Sequence, residues 1–458
     1  MAVTRDTAHV DRRRVGELTA RERSRFFQTH TRSLELIERA SARMPRGVPM
    51  AWMDSLWGHP PVYVDRGDGA HFVDVDGHRY LDMNIADTSM FCGYGPDPVT
   101  RAVAERAAAG SQFLLPTEDA LWVSEELARR WGLPMWQFTL SATAANTEAI
   151  RIARHLTGRA DVLMFAGKYH GHADEMLVTT DGERVVPEYL GLLPRVAEHT
   201  ILVDFNDAAA LERALEPATV ACVLAEPALT NIGIVQPEDG FHARLRAATR
   251  ETGTLLVLDE THTLITGPGG LVERWGLEPD VVTLGKSIGG GVAIGAYGMR
   301  EEVAATLVAS SEGGGGGDPL PEVATGGTLF ANPLTMAAAR AALGEVLVPE
   351  AYARAAGLGE RLADGIERIA GDAGLTWRAH RLGPRSGYTF AGALPRTARE
   401  AHAVADPELV RLLRLFMVNR GVWEAMEWAG PAFSVAATDE DLQTYLGVLT
   451  DFVDELTA

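Results

Sequence analysis

LLVLDETHTLITGPGGLVERWGLEPDVVTLGKSIGGG, residues 255–291, is the stretch that decides the fold. It holds two apolar runs, LLVLDE (255–260) and VVTLGK (281–286), each closed by a charged residue. Uninterrupted apolar runs of this length read as strands buried on both faces, the texture of a mostly parallel sheet. The same texture extends outward from this stretch. QFTLS (137–141), VLMFAG (162–167), TILVDF (200–205), ACVLAE (221–226) and GAYGM (295–299) are five further runs, and amphipathic segments such as TEAIRIARHLTG and FHARLRAATRETG lie between them. The expected fold class is therefore α/β, with a mostly parallel seven-stranded sheet flanked by helices. In such sheets ligands bind outside the carboxyl ends of the strands, so reactive residues that end an apolar run mark the site.

The expected organisation is a large domain over residues 95–340, with a smaller α+β domain drawn from both termini, residues 1–94 and 341–458. The first fifty residues read as one or two peripheral helices. PPVYV (60–64) and HFVDVDG (71–77) read as short strands, with Asp76-Gly77 as the turn of a hairpin. Gly313–Gly317 reads as a mobile surface loop, a gate over the site.

Composition narrows the function. The chain has 458 residues, with 42 Lys and Arg against 62 Asp and Glu, a formal charge of −20. Such a surface repels phosphate backbones and anionic headgroups, which argues against nucleic acid and membrane as partners. Two cysteines, Cys92 and Cys222, make no disulfide framework. No stretch approaches the ~18 apolar residues of a membrane span. The charged N-terminal stretch lacks the apolar core of a secretory signal, so a cytoplasmic enzyme is expected.

The strand ends carry the chemistry. Asp259 ends one apolar strand, where a carboxylate needs a cationic or hydrogen-bonding partner. Lys286 follows another, and a lysine in a dry pocket is released as a neutral nucleophile toward carbonyls. QFTLSATAANTEAIRIAR runs from strand into helix, so Ser141, Ala142 and Thr143 offer N–H groups and hydroxyls at a helix N-terminus, suited to a phosphate. Tyr169, in YHGHAD, offers a flat ring at the same edge. A nucleophilic lysine, a buried aspartate, a phosphate cradle and an aromatic plate together suit pyridoxal 5'-phosphate. His170, His172 and Asp174 lack a further ligand set, so no metal is expected.

These motifs, with RGDGAHFVDVDGHRYLDM, EPALTNIGIVQPEDGF, GGTLFANPLTMAAA and GVWEAMEWAGPAFSVAATDEDL, occur in an order that resembles class III, fold-type-I pyridoxal-phosphate-dependent aminotransferases, on the branch of glutamate-1-semialdehyde aminomutase. The resemblance runs from about residue 43 to 455. It implies that Lys286 forms the internal aldimine and shuttles a proton, and that Asp259 pairs with the pyridine nitrogen. It further implies that Ala142 and Thr143 bind the phosphate, that Tyr169 and Thr261 cover the two ring faces, and that Asn231 approaches the phenolic oxygen with Glu226 nearby. Thr328 matches a threonine that reaches the phosphate of the neighbouring subunit, which implies a homodimer with composite active sites.

The departures concern substrate and surroundings. Ala142 and Ala144 replace the family's usual Gly and Glu without removing backbone donors. His262 stands where relatives differ and is a candidate to support Asp259 from behind. Where the aminomutase has a carboxylate-binding arginine, MPRGVPMAWMDSLWG supplies Trp52 and Met53. Asp87, Glu424, Glu427 and Trp428 add acidic and aromatic groups, which suits an amine with an apolar or cationic tail. Arg385 is a candidate carboxylate binder, a surface arginine being its plainer reading. The expected activity is transfer of an amino group from an amine or amino acid to a keto acid, aldehyde or ketone by a ping-pong mechanism. An aminomutase or racemase using the same lysine is the alternative, and a non-catalytic cofactor-binding protein is a third reading.

Overall fold

The computed structural model describes residues 10–182, 184–312, 323–426 and 430–458. The Gly313–Gly317 tract, Glu427 and Trp428 lie outside the described residues. The chain divides into two compact units: residues 97–349 with 396–398, and residues 1–96 with 350–395 and 399–458.

The larger unit is built on seven strands, numbered here in chain order: β1 (Met135–Thr139), β2 (Asp161–Phe165), β3 (Thr200–Val203), β4 (Val220–Ala225), β5 (Leu255–Asp259), β6 (Val281–Gly285) and β7 (Gly295–Met299). They lie in the order β1-β7-β6-β5-β4-β2-β3, and only β7 runs antiparallel to its neighbours. Every residue of β4, β6 and β7 is buried, as the unbroken apolar runs predict. Each run read from the sequence is one of these strands.

The helices between the strands start and stop where the local chemistry dictates. Ser141 caps Ala142–Thr157, its hydroxyl accepting the Ala144 N–H at 3.3 Å, and Gly158 closes the helix at φ +67°. Ile150, Ile152 and Ala153 of that helix pack in one cluster with Met164, Leu224, Val257 and Val281 from the sheet. The start of β7 presses on the same turn. A Cβ on Gly295 would lie 2.2 Å from the Ser141 carbonyl oxygen, so only glycine lets the strand approach the helix start.

The smaller unit has helices Arg12–Thr29 and Thr31–Ser41 and a four-stranded sheet of Val64–Asp68, His71–Asp74, Arg79–Asp82 and Val422–Trp423. The first strand begins at Val64, where the sequence pattern would end it. Residues 60–63 are not strand, because the two prolines at 60 and 61 remove ladder donors. The Asp76-Gly77 hairpin forms as expected, with Gly77 at φ +91°. Asp76 also caps the second helix, its carboxylate accepting the N–H groups of Arg32 and Ser33 at 2.7 and 2.9 Å. The long helices Pro349–Asp372, Pro407–Val418 and Asp439–Thr457 bury a core that includes Leu362, Ile366, Leu413, Phe416, Tyr445 and Phe452. Among the described residues, no helix is long and apolar enough to cross a membrane.

Candidate active site

Because six of the seven strands run the same way, their last residues share one edge of the sheet. That edge gathers Ser141 after β1, Tyr169 and His170 after β2, Glu226 after β4, Asp259 at the end of β5 and Lys286 after β6.

Asp259 is buried, and donors surround its carboxylate. Oδ2 accepts the Asn146 amide at 2.8 Å and His170 Nδ1 at 3.0 Å. Oδ1 accepts the Thr261 N–H at 3.0 Å and the Thr261 hydroxyl at 2.5 Å. Burial alone would push the carboxyl up. The hydrogen bond and charge of His170, with the Thr261 and Asn146 bonds, outweigh it and bring the carboxyl down to about 2. The donors are held in turn. Asn146 gives its second N–H to the His170 carbonyl at 2.8 Å and accepts the Thr283 hydroxyl at 2.6 Å. The next residue fares differently. Glu260 faces the Val272 N–H at 2.5 Å and the Thr263 hydroxyl, and burial, reinforced by the charge of Asp259, raises it to about 7 despite those bonds.

Lys286 follows Gly285 at φ +53°, a left-handed conformation unusual for a lysine. Its Nζ meets Nε2 of His262. His262 Nδ1 lies 2.8 Å from the Thr230 hydroxyl, which bonds in turn to Glu226 Oε2. The Thr230 N–H also reaches Oε2, at 3.1 Å, and the Tyr169 N–H reaches Oε1 at 3.2 Å. His262 was one candidate partner of Asp259. The structure instead gives Asp259 to His170 and turns His262 toward the lysine, because Thr230 holds the other face of its ring.

At the helix start, the first N–H groups of Ala142 and Thr143 have no acceptor within the helix, which leaves them for an anion. The Thr143 hydroxyl accepts the His172 N–H at 3.1 Å. Gly171, at φ +106°, makes that approach possible: a Cβ there would lie 2.1 Å from the hydroxyl oxygen. Tyr169 and Asn231 are half-buried, and Asn231 follows Thr230 directly. Thr328 is exposed, and its carbonyl accepts the Gln112 amide at 2.6 Å.

The five residues expected to contact substrate belong to the smaller unit. Trp52 and Met53 are exposed on the one-turn helix Trp52–Ser55. Asp87 lies within four consecutive residues of positive φ, Ile85 to Thr88, a left-handed turn whose start is held by Asp82 through the Asn84 and Ile85 N–H groups, both at 2.9 Å. Two of the five are buried. Arg385 is not a surface arginine: it is 1 % exposed on the strand Arg385–Thr389. Glu424 lines the core of its own unit, accepting the Tyr445 hydroxyl at 2.6 Å and its neighbour's N–H at 2.8 Å. Sequence reasoning missed His170, Asn146 and Thr230, which touch the key groups only through folding. For Asn146 a signal existed, since a polar residue one turn into a helix that must pack on the sheet needs a buried partner.

A profile described as aminotransferase class-III matches residues 54–378. A glutamate-1-semialdehyde 2,1-aminomutase of an Exiguobacterium species is 32 % identical over 437 residues, 93 % of this chain and 98 % of that protein. A glutamate-1-semialdehyde aminomutase from Pseudomonas aeruginosa PAO1, also solved as a variant in complex with PMP, superposes with a TM-score of 0.93 at 38 % identity, covering 98 % of this chain and 99 % of that one. A β-phenylalanine aminotransferase from Variovorax paradoxus superposes with a TM-score of 0.85 at 27 % identity, covering 96 % and 97 % of the two chains. With a lysine, an ionised aspartate and a helix N-terminus already assembled on one sheet edge, these likenesses make the chain a member of the class III aminotransferase family.

Proposed function

We propose that Lys286 is the residue through which this class III aminotransferase holds pyridoxal 5'-phosphate and moves protons during transamination. The observation that carries this reading is an aspartate, buried yet held ionised, at the end of one strand of the same sheet edge on which Lys286 follows the neighbouring strand. Bound pyridoxal phosphate supplies an aldehyde carbon for condensation with amines and a pyridinium ring that takes up the electron pair left at the substrate carbon. The residues fit that group. The Asp259 carboxylate, held ionised by four donors, would favour a proton on a ring nitrogen placed beside it. The N–H groups of Ala142 and Thr143 and the Thr143 hydroxyl suit the phosphate, with Ser141 shaping the turn. Tyr169 and Thr261 would cover the ring, and Asn231 and Glu226 would lie toward the phenolic side. Lys286 would hold the aldehyde through Nζ, and the same nitrogen would serve as the base that moves a proton at the substrate carbon.

The substrates are an amine or amino acid and a carbonyl acceptor, taken in turn. Trp52, Met53 and Asp87 are the candidates for contact with the variable part of the substrate. Thr328, exposed on its own chain, is assigned to the neighbouring subunit's phosphate in a homodimer. The exposed Phe113, Leu114, Leu115 and Leu121 supply apolar surface for such a contact. We read the enzyme as cytoplasmic.

Borohydride reduction of the cofactor-loaded protein followed by peptide mapping is the direct test. The label belongs on Lys286, and a label elsewhere overturns the assignment. The aminomutase names of two relatives favour a second reading, an isomerase using the same residues. Amine alone bleaching the visible band stably, with recovery only on adding a keto acid, supports transfer. Recovery without acceptor, with the amine isomerised, supports the second reading.

A further inference from the structure

The chain of contacts behind Lys286 has a direction, and the direction follows from donor counting. Both oxygens of Glu226 face backbone N–H groups, Oε1 that of Tyr169 and Oε2 that of Thr230, so both act as acceptors. The Thr230 hydroxyl also meets Oε2, and with Glu226 as a carboxylate that hydroxyl donates its proton there. Its oxygen is then an acceptor toward His262, so Nδ1 of His262, 2.8 Å away, carries the ring proton. That leaves a lone pair on Nε2, aimed at Lys286 Nζ. Each step follows from the ionised form of Glu226, which accepts two backbone N–H groups and is 2 % exposed.

We propose that Glu226, Thr230 and His262 form a relay that locks the His262 tautomer and makes its Nε2 the acceptor for a Lys286 N–H, so that His262 sets the basicity and orientation of the cofactor-binding lysine. With one N–H given to His262, the lone pair of a neutral Lys286 points away from the imidazole. When Lys286 is an ammonium, the same bond stabilises its charge. The proton can also pass from Nζ to Nε2 and back. The imidazolium so formed has Glu226 Oε2 4.0 Å from Nδ1, and no other reactant is consumed. Other ionisable groups near this chain are Lys168, which interacts with the charge of Glu226, and Asp259, three residues before His262 and bonded to His170. His262 touches the reacting nitrogen. Thr230 and Glu226 act through it as positioning residues.

The proposal rests on Lys286 being the cofactor lysine, so it is tested on the cofactor-free protein, where failure of that assignment would not change the readout. Nitrogen NMR of histidine-labelled protein should show His262 protonated on Nδ1. The opposite tautomer overturns the relay without any variant. The pH midpoint for acylation of Lys286, followed by mass spectrometry, should fall by about one unit in His262→Phe, which removes an acceptor worth a charge-assisted hydrogen bond. It should stay near wild type in His262→Gln, whose carbonyl can still accept. Thr230→Val should leave both tautomers of His262 populated. A midpoint that is unmoved or raised in folded His262→Phe, or one displaced equally by Phe and Gln, overturns the proposal. Borohydride mapping of the loaded protein separates the two questions: a label on Lys286 with no midpoint shift removes the relay and keeps the assignment.

Discussion

Asp259 in the larger unit and Glu424 in the smaller one are both carboxylates sealed from water, yet the two regions treat them oppositely. Asp259 has four donors on its two oxygens and is held at about 2. Glu424 has the Tyr445 hydroxyl and one backbone N–H, and burial raises its carboxyl despite them and despite the charge of Arg414. Burial therefore does not decide the charge of a carboxylate. The number and kind of donors that the fold brings to it do. The edge of the sheet in the larger unit supplies them because strand ends leave backbone and side-chain donors unpaired. The helical core around Glu424 has little to offer beyond one tyrosine.

The hardest test of this contrast is activity. Asp259→Asn keeps the shape and removes the charge, and kcat should fall by about 10²–10³ or more, the scale for losing a pre-aimed electrostatic partner. Glu424→Gln, measured alongside it, should leave kcat within a few-fold. A comparable loss in both would make Glu424 a site residue after all.

Stability against pH gives the next largest effect. Asp259 titrates lower when folded than its unfolded value near 3.8, so it stabilises the fold above that value and the gain is lost as pH falls through about 2. The contribution at neutral pH is about 2 kcal/mol. Glu260, one residue on, has the opposite sign. Raised from 4.5 to about 7, it costs nothing below the lower value, and stability falls by about 3 kcal/mol as pH rises between the two. Denaturant unfolding from pH 4 to 8 should show that decline in wild type and lose it in Glu260→Gln. A decline that persists in the variant assigns it to another group.

Smaller changes refine the donor count. Gly171→Ala drives a Cβ into the Thr143 hydroxyl and forces alanine to φ +106°, which should cost about 2 kcal/mol or more and weaken retention of the cofactor, read by dialysis and thermal unfolding. Thr261→Val removes one donor from Asp259 and should cost about 1 kcal/mol while moving its carboxyl upward. Tyr445→Phe removes one of the two donors to Glu424 and should cost a similar amount without touching turnover.

Much of this architecture is legible in the amino-acid sequence. All seven strands announce themselves as apolar runs, and the two reactive residues end two of them. The illegible remainder has a common cause. His170 reaches Asp259 across 89 positions and Thr230 reaches His262 across 32, so no local pattern marks either pair. Arg385 and Glu424 read as exposed or pocket-facing because charged residues usually are, whereas folding buries both, Glu424 against Tyr445, 21 positions on.

The sequence by itself determined the strand pattern, the helix caps at Ser141 and Gly158, and the chemistry offered by Lys286 and Asp259, because periodicity, capping and turn formation are properties of neighbouring residues. Tertiary structure alone decided which histidine serves which group. A hydrogen bond is directional and short, and only the packed sheet edge brings His170 to the aspartate and turns His262, fixed through Thr230 by Glu226, toward the lysine.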